Sequence, residues 1–167
     1  MIDLPIGWTI VVDSIAWAVI HLTIGYLCLR LPGSVLDARR WLFQTRKWEK
    51  GGAIYERLFL VKRWKSLLPS GGTVFRGGFS MKHIASRRKE YLERWRGETC
   101  RAELTHWIAL TSSGMFFLWN PAGLGFVMVF YAVAANMPCM IVQRYNRPRI
   151  IGILCKKESL AETGSCA

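Results

Sequence analysis

Long apolar segments alternate with polar and basic stretches along this chain. The first, Trp8–Leu29, has 22 residues and one formal charge, Asp13. As a helix it would be roughly 33 Å long, enough to cross the hydrocarbon core of a bilayer. Two further apolar segments, Leu104–Trp119 and Ala122–Val142, are joined by a short uncharged turn, as in a helical hairpin. The pattern predicts an all-α integral membrane protein with about three transmembrane helices, an N-terminal span followed by a C-terminal hairpin.

The first arm of the predicted hairpin is short. Leu104–Trp119 would measure about 24 Å as a helix, less than a full bilayer core, whereas Ala122–Val142 would measure about 31 Å. The first arm therefore either spans the bilayer fully or re-enters on the side from which it came.

Residues 31–103 are polar and basic, with scattered large aromatic side chains. In Val35–Trp48 these aromatics are mixed with arginines, which is typical of a helix lying in the membrane interface. A surface helix of a small soluble subdomain is the alternative. Ser34 and Asp37 resemble a capping box for this helix. A glycine-rich loop and a polar helix over residues 80–96 are predicted to follow.

The pattern divides the chain into four regions. They are an N-terminal transmembrane helix (1–30), a basic cytosolic and interfacial cap (31–103), a transmembrane hairpin (104–143), and a basic exit with a disordered tail (144–167). The tail from Lys156 is expected to be disordered because it is polar and has little apolar surface to bury.

Charge is segregated from apolar sequence. The chain is 51% hydrophobic yet has a formal net charge of +12. Of its 23 lysines and arginines, 18 lie between Arg30 and Glu103, and the other 5 lie between Arg144 and Lys157. The positive-inside rule then places the N-terminus outside and the basic segments in the cytoplasm. Because the basic residues flank membrane segments, anionic lipid is a better partner than nucleic acid.

Other targeting and redox signals point the same way. The first apolar segment lacks the basic leader and the small-residue cleavage site of a signal peptide, so we expect a retained span. The five cysteines show no paired spacing, which fits a reducing compartment better than a disulfide framework or a zinc ribbon.

The pairing most suggestive of chemistry is Glu103 with His106. Three residues apart, they share one face of a helix at the start of the hairpin. A carboxylate beside an imidazole can fix its tautomer and raise its basicity for removing a proton from a hydroxyl. The alternative is a helix-start glutamate with a histidine that reaches the interface. A metal site would need further ligands, and His21 and His83 are the only other histidines, so no metal is expected.

Polar residues inside the apolar segments form a second set of candidates. Asn136 lies two residues before Pro138, which frees a carbonyl one turn back, and a polar residue at such a point is a functional candidate. Gln143 shares its helix face, about 10 Å away. His21 lies at a depth similar to that of Asn136 in the first span, and these two could line one cavity open to the cytoplasm. Each could instead serve helix packing.

Three arginines follow the last apolar segment, namely Arg144, Arg147 and Arg149. Such a cluster can bind lipid head groups or the phosphates of a nucleotide-linked donor. Plain positive-inside anchoring explains their charge equally well.

Two blocks of the sequence carry a family resemblance. Residues 101–107 (RAELTHW) and 142–149 (VQRYNRPR) resemble the signature blocks of the glycosyl-diaponeurosporenoate acyltransferase family. The resemblance extends from Trp8 to Ile150. It implies transfer of a fatty acyl group to a sugar hydroxyl of a glycosylated carotenoid, or a similar glycolipid, at the bacterial cell membrane. The chain lacks the H-x-x-x-x-D motif of glycerol-phosphate acyltransferases, so the resemblance supplies the reaction class and not the catalytic residues.

The sequence hypothesis is thus a multi-pass membrane O-acyltransferase. His106 would be the general base and Glu103 would orient it, while Asn136 or Gln143 would stabilise the oxyanion. Acyl-CoA or an acyl-carrier thioester would be the co-substrate, with no further cofactor. The expected substrate-binding residues are Asn136, Gln143, Arg144, Arg147, Arg149, Arg101 and His21. The alternatives are a non-enzymatic membrane protein that binds anionic lipid or a partner enzyme through its cap, and a metal-dependent lipid hydrolase.

Overall fold

A computed structural model of the chain describes residues 5–68, 78–81 and 84–164, with side chains as far as Ser159. Over these ranges the regular structure is helical, as the sequence predicted. The α-helices are α1 (Ile6–Leu29), α2 (Ala53–Phe59), α3 (Val61–Trp64), α4 (Lys89–Ser112) and α5 (Ala122–Gly164). Short 3₁₀ segments lie at Gly33–Val35, Lys47–Gly52, Lys65–Leu67 and Ser113–Leu118.

Helices α4 and α5 form a hairpin and share the most extensive contact between elements. Helix α1 packs against α4. At the hairpin turn, Trp17 of α1 stacks on Phe116, with ring centroids 4.7 Å apart. Asp13 is buried beside it and accepts hydrogen bonds from Trp119 Nε1 at 2.8 Å and Asn120 Nδ2 at 3.0 Å. These bonds hold one end of α1 against the turn and satisfy a charge within an apolar helix.

Two helices among the described residues are long and apolar enough to cross a membrane, α1 and the part of α5 over Ala122–Ser159. Both leave large apolar side chains exposed: Ile6, Trp8, Ile10, Leu22 and Leu27 on α1, and Phe126, Val127 and Phe130 on α5. This surface indicates membrane association. The third predicted span is not confirmed, because α4 begins in polar sequence and its apolar part is continued by a 3₁₀ segment.

Residues 31–68, termed here the docked segment, fold against the ends of the long helices. Leu36, Ala38 and Phe43 pack around Cys100 of α4. Tyr55 and Val61 pack against Val142 and Tyr145 of α5. The predicted helix over Val35–Trp48 is wrong, since turns and short 3₁₀ segments replace it. The capping box is also absent, because Asp37 accepts a hydrogen bond from the backbone N–H of Arg39 instead.

Two further helix boundaries differ from the predictions. The polar helix expected over residues 80–96 begins at Lys89 and continues unbroken as α4. The tail from Lys156, predicted to be disordered, is helical as far as Gly164. It is the end of α5, which also passes through Pro138 and Pro148 without ending. Most of the predicted glycine-rich loop, residues 69–77, lies outside the described residues.

Candidate active site

A polar contact between α4 and α5 joins His106 to Asn136. His106 Nδ1 lies 2.8 Å from the side-chain oxygen of Asn136. Asn136 is buried, and its amide nitrogen donates to the carbonyl of Ala132 at 2.8 Å. This second bond orients the amide so that its oxygen faces the imidazole.

The contact selects one tautomer of the histidine. An amide oxygen can only accept, so Nδ1 of His106 is the donor. In the neutral ring Nε2 then has no proton and keeps its lone pair for accepting one. His106 is only half-buried, so the ring is not sealed inside the protein. The pair therefore provides an oriented base.

Two other predicted site residues lie close to this pair or on its face. His21 stacks on Trp17 with ring centroids 5.3 Å apart and belongs to α1, which packs against the helix of His106. Gln143 is buried, and its side-chain oxygen has no hydrogen-bond partner within the described part of the chain. Asn136 and Gln143 are seven residues apart on one helix face. The side-chain oxygen of Gln143 is therefore available to accept a hydrogen bond from a polar ligand.

Glu103 does not orient His106, contrary to the sequence hypothesis. It is fully buried, and its two oxygens accept from Arg144 Nε at 2.7 Å and from Arg147 Nη2 at 2.5 Å. Trp107 Nε1 is a weaker donor at 3.4 Å. Two permanent cations bind a buried carboxylate more strongly than a neutral imidazole does, so the arginines take Glu103.

The side chains of Arg144 and Arg147 bind other groups within the protein. Arg144 also donates to Glu49 Oε1 at 2.6 Å and to the carbonyl of Leu42 at 2.6 Å. Arg147 is buried and donates to the carbonyl of Phe43 at 2.6 Å and to both oxygens of Thr99 at 3.0 Å. Both guanidinium groups therefore join the docked segment to the hairpin, and most of their N–H donors are already bound within the protein.

The buried cluster of Glu49, Glu103, Arg144 and Arg147 is electrically balanced, with two carboxylates and two guanidinium groups. Tyr55 lies beside it. Burial, followed by the charge of Glu49, raises the pKa of Tyr55 to about 12, so its hydroxyl stays protonated at neutral pH. The cluster is a structural joint. It brings together residues 101–107 and 142–149, the two blocks that carry the family resemblance.

Arg101 and Arg149 have different roles again. Arg101 donates to the carbonyls of Cys28 and Leu29 at the end of α1 and of Leu31 just beyond it, and pairs with Glu98 at 3.1 Å. It therefore caps a helix end. Arg149 is exposed and stacks on Tyr145, with its guanidinium carbon 3.5 Å from the ring centroid. It is the one arginine of the predicted trio that faces solvent.

Sequence reasoning missed Glu49 and the hydrogen bonds of Asp13. Glu49 is a lone acid within RKWEK, and no local pattern announces a partner 95 residues away. Asp13 carried a usable signal, because a single carboxylate in a membrane segment is expected to find a buried partner. Within the described ranges, no three His, Cys, Asp or Glu side chains converge as a metal site would need. His83 lies outside those ranges.

Comparison with known proteins places this site in a family. The sequence profile of the glycosyl-4,4'-diaponeurosporenoate acyltransferase family matches residues 39–156, which include His106, Asn136, Gln143 and the buried charge cluster. The chain belongs to this family. The glycosyl-4,4'-diaponeurosporenoate acyltransferases of Staphylococcus aureus strains bovine RF122 / ET3-1 and MRSA252 are each 33% identical to it over 141 residues, which is 84% of this chain and 85% of theirs. The protein of the same name from strain USA300 is 32% identical over 141 residues.

Membership of the glycosyl-4,4'-diaponeurosporenoate acyltransferase family confirms the resemblance found in the sequence. It also makes this protein an O-acyltransferase. No solved structure matches the chain significantly, so the arrangement of the site rests on the contacts described above.

Proposed function

We propose that this protein transfers an acyl group from an acyl thioester to a sugar hydroxyl of a glycosylated carotenoid at a membrane. The names of its relatives support the acceptor, and the hydrogen bond between His106 and Asn136 supports the mechanism. Asn136 takes the orienting role that Glu103 was expected to have.

The proposed reaction uses His106 as a general base. Nε2 takes the proton of the sugar hydroxyl while the hydroxyl oxygen attacks the carbonyl carbon of the thioester. The tetrahedral intermediate collapses by breaking the carbon–sulfur bond. The leaving thiolate takes up the proton that Nε2 had accepted. The products are an ester and a free thiol, and His106 returns to its neutral form.

Gln143 is proposed to contact the substrate. Its buried side-chain oxygen can accept a hydrogen bond from a sugar hydroxyl, and its amide nitrogen can donate to the oxyanion of the intermediate. Binding would then satisfy a polar group that the protein alone leaves unpaired.

The proposed setting is a bilayer crossed by α1 and α5, with the N-terminus outside and the basic segments in the cytoplasm. The docked segment would lie in the cytoplasmic interface. Its exposed apolar side chains support this placement, since Trp41 is 75% and Leu67 81% exposed next to basic residues. The acceptor's apolar chain would lie in the membrane and its sugar near His106.

Reconstitution tests the activity directly. Purified protein in lipid nanodiscs, supplied with palmitoyl-CoA and a glycosylated carotenoid, should form an ester that mass spectrometry detects. His106→Ala should lower kcat by about 10²- to 10⁴-fold, the usual contribution of a general base. Thr111→Ala, which trims an exposed side chain on the same helix, should retain the wild-type rate. A wild-type rate in folded His106→Ala would refute the assignment.

Variants of Asn136 separate positioning from folding. Asn136→Leu removes the acceptor for Nδ1–H, so the ring can adopt the unproductive tautomer and kcat should fall. Asn136→Asp keeps an acceptor, and its charge stabilises the protonated imidazole. Activity should return in part, with the acidic limb of the pH–rate profile moved to higher pH. A pH profile unchanged by Asn136→Asp would contradict the contact with a catalytic base.

A further inference from the structure

A polar cavity of about 720 Å³ lies where α1 ends against the first turns of α4. Leu29, the last residue of α1, lines one side, and Gly97 of α4 lines another. A Cβ atom added at Gly97 would meet no neighbouring group within 4 Å. The cavity is thus bounded partly by bare backbone, which leaves room for a ligand group.

The charges around this cavity favour an anion. Four arginines line it, Arg39, Arg94, Arg96 and Arg101, against three carboxylates. Two of these arginines pair with two of the carboxylates, Arg39 with Asp37 at 3.0 Å and Arg101 with Glu98 at 3.1 Å, so the lining has an excess of one positive charge.

Arg96 is the available cation. Its side chain makes no hydrogen bond within the part of the chain that the structure describes, and its charge acts on the carboxylates of Asp37 and Glu158 only from a distance. An unpaired guanidinium presents donors in a fork that matches a phosphate, and it binds such a group through charge-assisted hydrogen bonds.

The position of the cavity identifies the class of anion. It lies at the end of the apolar helix α1, which contributes Leu29 to its lining and exposes Leu22 and Leu27 in its last turns. A lipid lying along this face would bring its head group to the level of Arg96. We propose that the cavity binds the phosphate head group of an anionic phospholipid. This inference rests on the proposed membrane placement but not on the proposed chemistry.

Native mass spectrometry of the full-length protein tests the proposal. Protein reconstituted with phosphatidylglycerol and phosphatidylcholine and then released into detergent should retain phosphatidylglycerol preferentially. Gly97→Leu fills the cavity, and Arg96→Gln removes the cation. Each should lower the retained phosphatidylglycerol by about tenfold or more, as expected for loss of charge-assisted hydrogen bonds.

Matched variants control for folding. Gly152→Leu places the same side chain at a helical glycine of α5 that also faces open space, so retention should match that of the wild type. Gly97→Ala adds one methyl group, favours the helix and should bind normally. Equal retention by Gly97→Leu and Gly152→Leu would overturn the proposal.

A soluble ligand distinguishes the two sources of phosphate. Coenzyme A carries phosphates without lipid chains. We expect that it will not displace phosphatidylglycerol and that Gly97→Leu will not change its binding. If Gly97→Leu abolished binding of coenzyme A and spared the lipid, the cavity would belong to a soluble acyl donor and the proposal would fail. His106→Ala should retain the lipid, whether or not His106 is the catalytic base.

Discussion

At the scale of single residues, the site depends on which group binds the imidazole. A glutamate bonded to His106 would place a negative charge next to the ring. Asn136 is neutral and fixes the tautomer of the ring without adding a charge to the site. An amide is suited to this depth because it needs no counter-ion. The charged partner, Glu103, is held one turn away by two arginines that neutralise it.

Gln143 allows stability and activity to be tested in opposite directions. Its buried oxygen lacks a donor, which costs about 1–3 kcal/mol in a folded protein. Gln143→Leu keeps a similar volume and removes that cost, so the melting temperature should rise. If the amide contacts substrate, kcat/KM should fall by about tenfold or more. Thermal unfolding and ester formation measured on one preparation decide the matter, and a stabilised variant with full activity would remove Gln143 from the site.

At the scale of elements, the buried charge cluster joins three parts of the chain. Glu49 comes from the docked segment, Glu103 from α4, and Arg144 and Arg147 from α5. Because all four groups are buried or nearly so, the pairs are needed to offset the desolvation of each charge. Removing one carboxylate leaves an uncompensated cation.

Glu103→Gln should therefore act on folding and not on chemistry. The expected loss is about 3–5 kcal/mol of unfolding free energy, the usual result of breaking a buried ion pair on one side. Glu90→Gln, an exposed change in the first turn of α4, should cost at most about 0.5 kcal/mol. Chemical unfolding in detergent measures both. Wild-type stability with lost activity in Glu103→Gln would restore the catalytic role predicted from the sequence.

The same cluster shows which features local sequence predicts and which depend on distant residues. The length of the apolar runs predicted α1 and the first part of α5, and the uncharged turn predicted the hairpin, because bilayer length and turn chemistry act locally. The spacing of Glu103 and His106 showed that they could meet, but it could not show that Arg144 would win the carboxylate. Likewise, Val35–Trp48 is not helical because distant arginines bind the carbonyls of Leu42 and Phe43.

The docked segment meets α5 closely at Gly52. This residue has a left-handed backbone (φ 84°), and an added Cβ would lie 3.1 Å from both Pro148 Cγ and the Tyr145 carbonyl. Gly51 is also left-handed (φ 63°) but has open space around it. The two glycines thus share a backbone cost and differ in contact.

That difference supplies a matched pair of variants. Gly51→Ala should cost only about 1–2 kcal/mol for the left-handed backbone. Gly52→Ala should cost more and should loosen the docked segment, which is rich in trypsin sites. Limited proteolysis should therefore cleave Gly52→Ala between residues 46 and 65 well before Gly51→Ala. Equal cleavage of the two variants would show that the close approach to α5 does not hold the segment.

At the scale of the whole molecule, the polar contacts between the long helices lie in two groups, one near each end of α1. Asp13, near the start of α1, binds Trp119 and Asn120 at the hairpin turn. At the other end, Arg101 caps α1 and the buried charge cluster joins α4 to α5. The 18 basic residues of 30–103 and the 5 of 144–157 belong to the stretches of sequence that follow the apolar segments at this second end, so the positive-inside rule favours the proposed orientation.

Cysteine labelling tests this orientation. Gly7→Cys places a thiol at an exposed, open position at the start of α1, and native Cys155 is exposed near the opposite end of the molecule. With Cys166 replaced by serine in both proteins, a membrane-impermeant maleimide added to intact cells should label the thiol from Gly7→Cys. It should reach Cys155 only after the membrane is permeabilised, with Cys155→Ser as the control for that signal. The reverse order would invert the topology and place His106 and the docked segment away from cytoplasmic acyl thioesters, so the proposed donor would have to be abandoned with it.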